Sequence, residues 1–268
     1  PSRWFSEGRE NLLGDFRKHM LTCGHVAKLF AFGESRSVFE NVEIKGGISY
    51  YLYDNQYKGQ CDYTLLSSGT RQSSMISLDT FDVLIRNPKS YTIVKKVSAK
   101  RELDNVSTVD TIVSADTPFG IPTNPGESVK TPFNVYEDSS FEHNTVLYYL
   151  KNGKRVTGYC KRSDIKKNAK DIDKFKVFLP KGYGAGETYP HQILGQPEFG
   201  CANSVCSQTY VYSAFDTEEE SINFGKYIKT RFLRALVFAV KITQHANDKC
   251  YRFVPLQDFT SNSDINWN

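Results

Sequence analysis

The chain has 268 residues, of which 39% are hydrophobic and 13% aromatic, and its formal net charge at pH 7 is +4. This length and composition suffice for one large core or two modest ones and exclude a disordered chain. There is no run of eighteen apolar residues and no basic-apolar-small leader pattern, so we expect a soluble cytoplasmic protein that does not enter a membrane. Because the chain starts with Pro1, in what reads as the end of a strand, we interpret it as the continuation of a longer polypeptide.

The first 67 residues read as the far edge of an α/β sheet. Apolar residues at helical spacing predict a helix from about Glu10 to Leu21, which Gly24 would stop. Three short β-like runs follow, VAKLFAF, GISYYLY and CDYTLLS, with polar joints that contain glycine. A helix followed by strands in so short a stretch is typical of the end of a sheet.

A polar segment then separates two hydrophobically patterned regions. The small side chains of SSGTRQSS, residues 67–74, cannot build a core and indicate a linker or exposed loop. After it, residues 88–98 predict a helix that starts at Pro88. Four prolines in residues 116–134 predict a long irregular loop.

The second half alternates strands and helices. Asn152-Gly153 predicts a hairpin turn between VLYYL and RVTGYC. A short helix is predicted from Asp164 to Asp171, followed by the strands FKVFL and QTYVYSAF. Thr217 and Glu220 fit a capping box at the start of one long helix that extends to about Val240.

Positive charge is concentrated in two segments of this nearly neutral chain. Residues 151–181 contain eleven Lys and Arg against three Asp, and residues 226–252 contain seven against one. Such segments are typical of a surface that binds a polyanion, although two solvated faces would have the same composition.

The first basic segment also carries aromatic side chains and a glycine-rich loop. Lys and Arg alternate with Tyr159, Phe175, Phe178 and Tyr183, the mixture that a DNA-reading surface uses, whereas the two phenylalanines also suit a core. The loop KGYGAG, residues 181–186, could bring backbone N–H groups to a phosphate, or it could be a flexible hairpin without a ligand. It lacks the spacing of a nucleotide-binding P-loop.

Residues for metal binding or catalysis do not form a recognisable motif. The six cysteines include no CxxC pair, and we expect reduced, mostly buried thiols and no metal. The five histidines have no recurrent partner spacing, and no Ser or Cys stands in a nucleophile motif. An independent enzyme with its own Cys/His site is therefore disfavoured.

Five segments in order resemble the C-terminal half of adenine-specific (N6) DNA methyltransferases of the type II and bifunctional restriction-modification family. They are PSRWF with FRKHML, EIKGGISYYLYD, VTGYCKRSDIKKNAKDIDKFKVFLPKGYGAG, CSQTYVYSAFDTEEESINFGKYIKTRFLRALVFAVKITQHA, and YRFVPLQDF. The resemblance covers nearly the whole chain. It implies an α+β fold, with residues 1–67 as the C-terminal remnant of a methyltransferase domain and residues 75–268 as the target recognition domain that binds double-stranded DNA.

Two motifs of that family are absent from the chain. There is no glycine-rich loop for S-adenosylmethionine, and neither Asn87-Pro88 nor Asn124-Pro125 continues into the Asn-Pro-Pro-aromatic motif that holds a flipped adenine. We therefore expect no catalytic and no cofactor-binding residue here. The intact enzyme would use S-adenosylmethionine through an N-terminal catalytic domain outside this sequence.

The predicted DNA-binding residues lie in the two basic segments. They are Arg155, Lys161, Arg162, Lys166, Lys167, Lys181, Tyr183, Lys241, Gln244 and His245. The alternative is a protein-protein interaction or structural module without DNA binding, which would explain the aromatic residues but not the localised basic runs.

Overall fold

The computed structural model describes residues 2–5, 13–42, 44, 47–127, 132–183, 192–241 and 243–268. Within these ranges the fold is α+β, as predicted, with four α-helices and ten strands in three sheets. The chain forms two compact units, one of Pro1–Asn105 with Ala235–Thr243 and the other of Val106–Arg234 with Gln244–Asn268.

The first unit is built on a mixed four-stranded sheet. Its elements are α1 (Gly14–Thr22), β1 (Val26–Phe32), β2 (Ile48–Tyr53), β3 (Cys61–Ser67), β4 (Thr70–Ile76) and α2 (Pro88–Leu103). The strand order is β2-β1-β3-β4, with β1 parallel to β3 and the other pairs antiparallel. Helix α2 packs against β3 and β4, and its start is fixed by Asn87, whose side chain accepts a hydrogen bond from the Lys89 N–H at 2.8 Å.

The second unit contains two three-stranded sheets and a helix. Its elements are β5 (Thr145–Lys151), β6 (Lys154–Cys160), β7 (Phe175–Pro180), β8 (Glu198–Gly200), β9 (Ser204–Cys206), β10 (Tyr210–Phe215) and α3 (Glu218–Ile228). The sheet orders are β10-β7-β8 and β6-β5-β9. One apolar cluster takes side chains from both sheets, among them Leu147, Phe178 and Tyr212. Helix α4 (Arg231–Val240) contains the point at which the chain returns to the first unit.

The predicted strands and the two-residue hairpin at Asn152-Gly153 are confirmed. Both turn residues have positive φ, 52° and 73°, as a type I′ turn requires. The predicted loop of residues 116–134 contains no helix or strand in its described part, and its residues 128–131 lie outside the described ranges. The predicted first helix is confirmed from residue 14, and its residues 10–12 likewise lie outside them.

The segment Ser67–Ser74 is a hairpin, not the predicted linker or loop. Ser68 and Gly69 have φ of 49° and 71° and form a tight turn, and the residues after them belong to β4. Polar residues suit this strand because most of its side chains are exposed to solvent. The predicted domain boundary at 67–75 thus lies inside the first unit, and the assignment of a methyltransferase remnant and a recognition domain stays a prediction.

Two helix predictions were wrong in extent. The segment Asp164–Asp171 forms two separate 3-10 turns, because Asn168 between them has φ of 51° and donates its side-chain amide to the Pro118 carbonyl at 2.8 Å. The helix predicted from Thr217 to Val240 is two helices, α3 and α4. The Thr230 hydroxyl accepts from the Leu233 N–H at 3.2 Å, so it starts a new helix.

A buried lysine stabilises the approach to β7. Lys176 has no exposed surface, and its ammonium group donates to the carbonyls of Asp171, Ile172 and Lys174 at 3.0, 2.7 and 2.5 Å. These carbonyls belong to the 3-10 turn before the strand and to the residues that follow it. The lysine thus ties this turn to the sheet.

We expect Lys176→Met to lower the free energy of unfolding by about 2 kcal/mol or more, because buried carbonyl groups lose their donor. Lys170→Met is the matched control, since Lys170 is exposed in the same segment, and its cost should stay within about 0.5 kcal/mol. Urea unfolding of both variants measures the difference. Equal stability of the two variants would contradict the role assigned to Lys176.

The cost of Lys176→Met should also depend on pH. Burial lowers the pKa of Lys176 to about 8, whereas a lysine in the unfolded chain has a pKa of about 10.4. Between these values the folded state holds fewer protons, so the contribution of Lys176 to stability increases with pH across this window. The variant should therefore lose more stability relative to the wild type at pH 9.5 than at pH 7.

Candidate nucleic-acid interface

Two segments that lie sixty residues apart in the sequence pair directly in the second unit. The Tyr183 N–H donates to the Gln244 carbonyl at 2.9 Å, and the Ala246 N–H donates to the Lys181 carbonyl at 2.8 Å. Gly182 and His245 form the antiparallel bridge between these bonds. The structure thus places four of the predicted DNA-binding residues, Lys181, Tyr183, Gln244 and His245, in one short two-stranded ladder.

Arg155 lies beside the start of this ladder. A Cβ atom built on Gly195 would be 3.1 Å from the Pro180 ring and 3.2 Å from Nη2 of Arg155. Gly195 is therefore a spacer between the guanidinium group and the residue that precedes Lys181. A larger side chain at this position would have to displace the guanidinium or the ring.

A short loop connects the ladder to Lys167. Asp116 Oδ1 lies 3.5 Å from Nζ of Lys181, and a Cβ on Gly120 would be 3.8 Å from Cγ of Lys167. Four residue steps span at most about 15 Å, and the major groove of B-DNA is about 12 Å wide. Lys167 is exposed at one end of this loop and is within reach of a groove and its flanking phosphates, whereas the Lys181 side chain at the other end is 12% exposed and paired with Asp116.

Acidic partners neutralise much of the first basic segment. Lys161 contacts Glu142 at 2.9 Å, and Arg162 forms two hydrogen bonds of 2.6 Å with Asp173. The hydrogen bond from Arg162 lowers the pKa of Asp173, and the hydrogen bond from Lys161 lowers that of Glu142. These pairs are exposed, so each contributes little to stability, and a phosphate can replace the carboxylate at low cost.

Lys154, Lys166, Lys167 and Lys170 are the exposed cations of this segment that form no ion pair with any described residue. The Lys166 ammonium group donates to the Ser163 carbonyl at 3.2 Å, next to its own position in the chain. Lys166 and Lys167 therefore face solvent without a carboxylate partner among the described residues.

The remaining predicted positions differ in their accessibility. Lys241 is only 8% exposed and belongs to the first unit, so its side chain does not face solvent as a DNA contact requires. His245 is exposed and Gln244 half-buried. The predicted glycine-rich loop is described only as far as Tyr183, and its residues 184–186 lie outside the described ranges.

Sequence reasoning missed three residues that shape this surface: Asp116, Glu198 and Tyr210. Glu198 accepts a hydrogen bond from the Tyr210 hydroxyl at 2.8 Å and lies 3.4 Å from Nη1 of Arg155. Asp116 pairs with Lys181 from the proline-containing loop. These contacts join distant parts of the chain, and no local sequence pattern predicts them.

Among the described residues no group of three or more His, Cys, Asp or Glu is arranged to hold a metal ion. Of the helices within the described ranges, none has both the length and the apolar character needed to cross a bilayer.

Known proteins provide little similarity to this chain. No protein family matches it, and no curated protein resembles it in sequence. Among solved structures, the type IIG restriction endonuclease BpuSI is similar with a TM-score of 0.37 and 9% identity, over 98% of this chain and 40% of that one. A likeness of this size assigns neither a fold nor an activity, and the chain spans less than half the length of that endonuclease.

The two-segment ladder can be tested by removing one of its donors. Ala246→Pro eliminates the N–H that binds the Lys181 carbonyl, and we expect amide exchange at Tyr183 to become about tenfold faster or more, because the ladder opens. Ala246→Gly keeps the N–H and should leave this exchange much closer to the wild type. Hydrogen exchange followed by NMR measures both, and unchanged protection in the proline variant would argue against the ladder.

Proposed function

We propose that this chain is the DNA-recognition part of a site-specific adenine-N6 DNA methyltransferase of a bacterial restriction-modification system. The five-segment resemblance supports the family. The observation that carries the DNA-binding role is the assembly of Arg155, Lys181, Tyr183, Gln244 and His245 around one ladder.

The chemistry of this assembly suits duplex DNA. Ammonium groups contact phosphates, and the guanidinium, amide and imidazole groups can donate to or accept from base edges. Lys166 and Lys167 add unpaired positive charge across the loop that contains Asp116 and Gly120. A surface with both kinds of groups can hold the backbone and read the sequence.

The methyl-transfer chemistry would come from outside this sequence. S-adenosylmethionine and the flipped adenine would bind an N-terminal catalytic domain, because the chain lacks the motifs for both. The residues described here would hold and orient the duplex, and we place the protein in the cytoplasm, where bacterial DNA is accessible.

A second candidate function, protein-protein interaction, is favoured by β2. This edge strand exposes Tyr50, Tyr51, Leu52 and Tyr53 by 36–54% and carries no charged side chain. Uncharged, apolar edge strands are sites of pairing with other chains. If this were the main role of the chain, no DNA binding would be found.

Lys166→Ala combined with Lys167→Ala should weaken binding to every duplex roughly tenfold and reduce the slope of log affinity against log salt by roughly 1 to 2, because each lost phosphate contact contributes about 0.9. The matched control is Lys95→Ala with Lys96→Ala, which removes the same charge from exposed positions on α2. Fluorescence anisotropy at several salt concentrations measures both. An equal effect of the two double variants would mean that net charge alone is responsible.

The purified chain should transfer no labelled methyl group from S-adenosylmethionine to any duplex, because it lacks the cofactor loop and the Asn-Pro-Pro motif. An intact adenine methyltransferase in the same assay serves as the positive control. Labelled DNA from the chain alone would show that a methyl-transfer site exists within these residues.

A further inference from the structure

The guanidinium group of Arg155 is held by a chain of contacts that leads into the core. Nη1 lies 3.4 Å from Oε1 of Glu198, and the same oxygen accepts the Tyr210 hydroxyl at 2.8 Å. Tyr210 is 1% exposed. An arginine at the surface is thus connected through one carboxylate to a buried phenol.

The backbone fixes the middle member of this chain. Glu198 begins β8 and pairs with Phe178 of β7, whose side chain has no exposed surface. Burial, followed by the hydrogen bond to Glu198, raises the pKa of Tyr210, so its hydroxyl stays a donor at neutral pH. The position of the Glu198 carboxylate is therefore set before any ligand arrives.

The guanidinium keeps donors for a ligand. Arg155 is 37% exposed at the side chain, and the ion pair with Glu198 is the polar contact that this side chain makes within the described residues. Arginine has five N–H donors in a planar fork, so several remain to bind a second planar acceptor. Gly195 has no side chain that would crowd Nη2, since a Cβ atom there would be 3.2 Å from it.

This arrangement suits a base edge better than a phosphate. The carboxylate cancels most of the arginine's net charge, and with it the long-range attraction that phosphate binding depends on. The directional donors are unaffected. A planar fork beside the Glu198 carboxylate matches the O6 and N7 acceptors of guanine in the major groove, the commonest specific contact of arginine.

We propose that Arg155 reads a guanine in the major groove and that Glu198 and Tyr210 are positioning residues that orient its guanidinium group. This inference rests on the proposed DNA-binding function and adds to it one base-reading residue and the base that it reads.

The test is selection of the 268-residue chain on a library of random duplexes, with sequencing of the bound fraction. The wild type should enrich a motif with one position that requires guanine. Arg155→Lys should reduce the preference at that position about tenfold or more and leave the others intact, while binding to bulk random duplex changes less than threefold. The control is Arg101→Lys, which changes another carboxylate-paired arginine on helix α2, outside the candidate interface, and should keep the guanine preference.

Glu198→Gln separates a positioning role from a purely electrostatic one. The amide keeps the size of the side chain and removes its charge, so binding to random duplex should stay equal or strengthen while the guanine preference falls. Replacing that guanine by 7-deazaguanine, which lacks the N7 acceptor, should weaken binding of the wild type and leave Arg155→Lys unchanged. Thermal unfolding of each variant verifies that the fold is intact.

The outcomes distinguish this inference from the function on which it rests. A wild-type chain that binds no duplex at any salt concentration overturns both. A chain that binds duplexes without base preference, or an Arg155→Lys variant that keeps the guanine preference, overturns the inference and leaves DNA binding in place.

Discussion

Strand β7 determines the geometry of the second unit. It is hydrogen-bonded to β10 on one edge and to β8 on the other, and nearly all of its side chains are buried. Phe178 enters the apolar cluster between the sheets, whereas Lys176 binds the carbonyls of the turn before the strand. The strand ends at Pro180, and Lys181 and Tyr183 follow it directly. The buried strand therefore fixes the position from which these two residues start.

The candidate interface is rigid where it is attached to this strand. The Lys181–Tyr183 segment continues directly from β7, and its hydrogen bonds to Gln244 and Ala246 fix a second segment beside it. Arg155 reaches the same point from β6, with Gly195 as the spacer. Groups held in this way lose little conformational entropy when a ligand binds, which is the condition for selective recognition.

The charges of this surface fall into two physical classes. Lys166 and Lys167 are exposed and unpaired with any described residue, so they act mainly through long-range attraction for a polyanion. Arg155 and Arg162 are paired with carboxylates, which reduces that attraction and leaves their directional donors. Affinity and specificity can therefore be supplied by different residues of one surface.

The sequence by itself determined the elements whose signals are local. The alternating apolar runs predicted the strands, the Asn152-Gly153 pair predicted the hairpin, and Thr217 with Glu220 predicted the start of α3, because each signal acts over a few neighbouring residues. Local signals also misled, since the polar residues of β4 read as a linker and Thr230 was not recognised as the cap that divides a long helix.

Only the tertiary structure decided which charged residues could form a site. The sequence counted Lys176 and Lys241 among the cations of two basic segments, yet both are buried. It could not pair Lys181 with Asp116 or Arg155 with Glu198, because these contacts join residues more than forty positions apart in the chain. The composition of a segment gives the number of its cations. Burial and ion pairing depend on the packing of the whole unit, and they decide how many of these cations are accessible to a ligand.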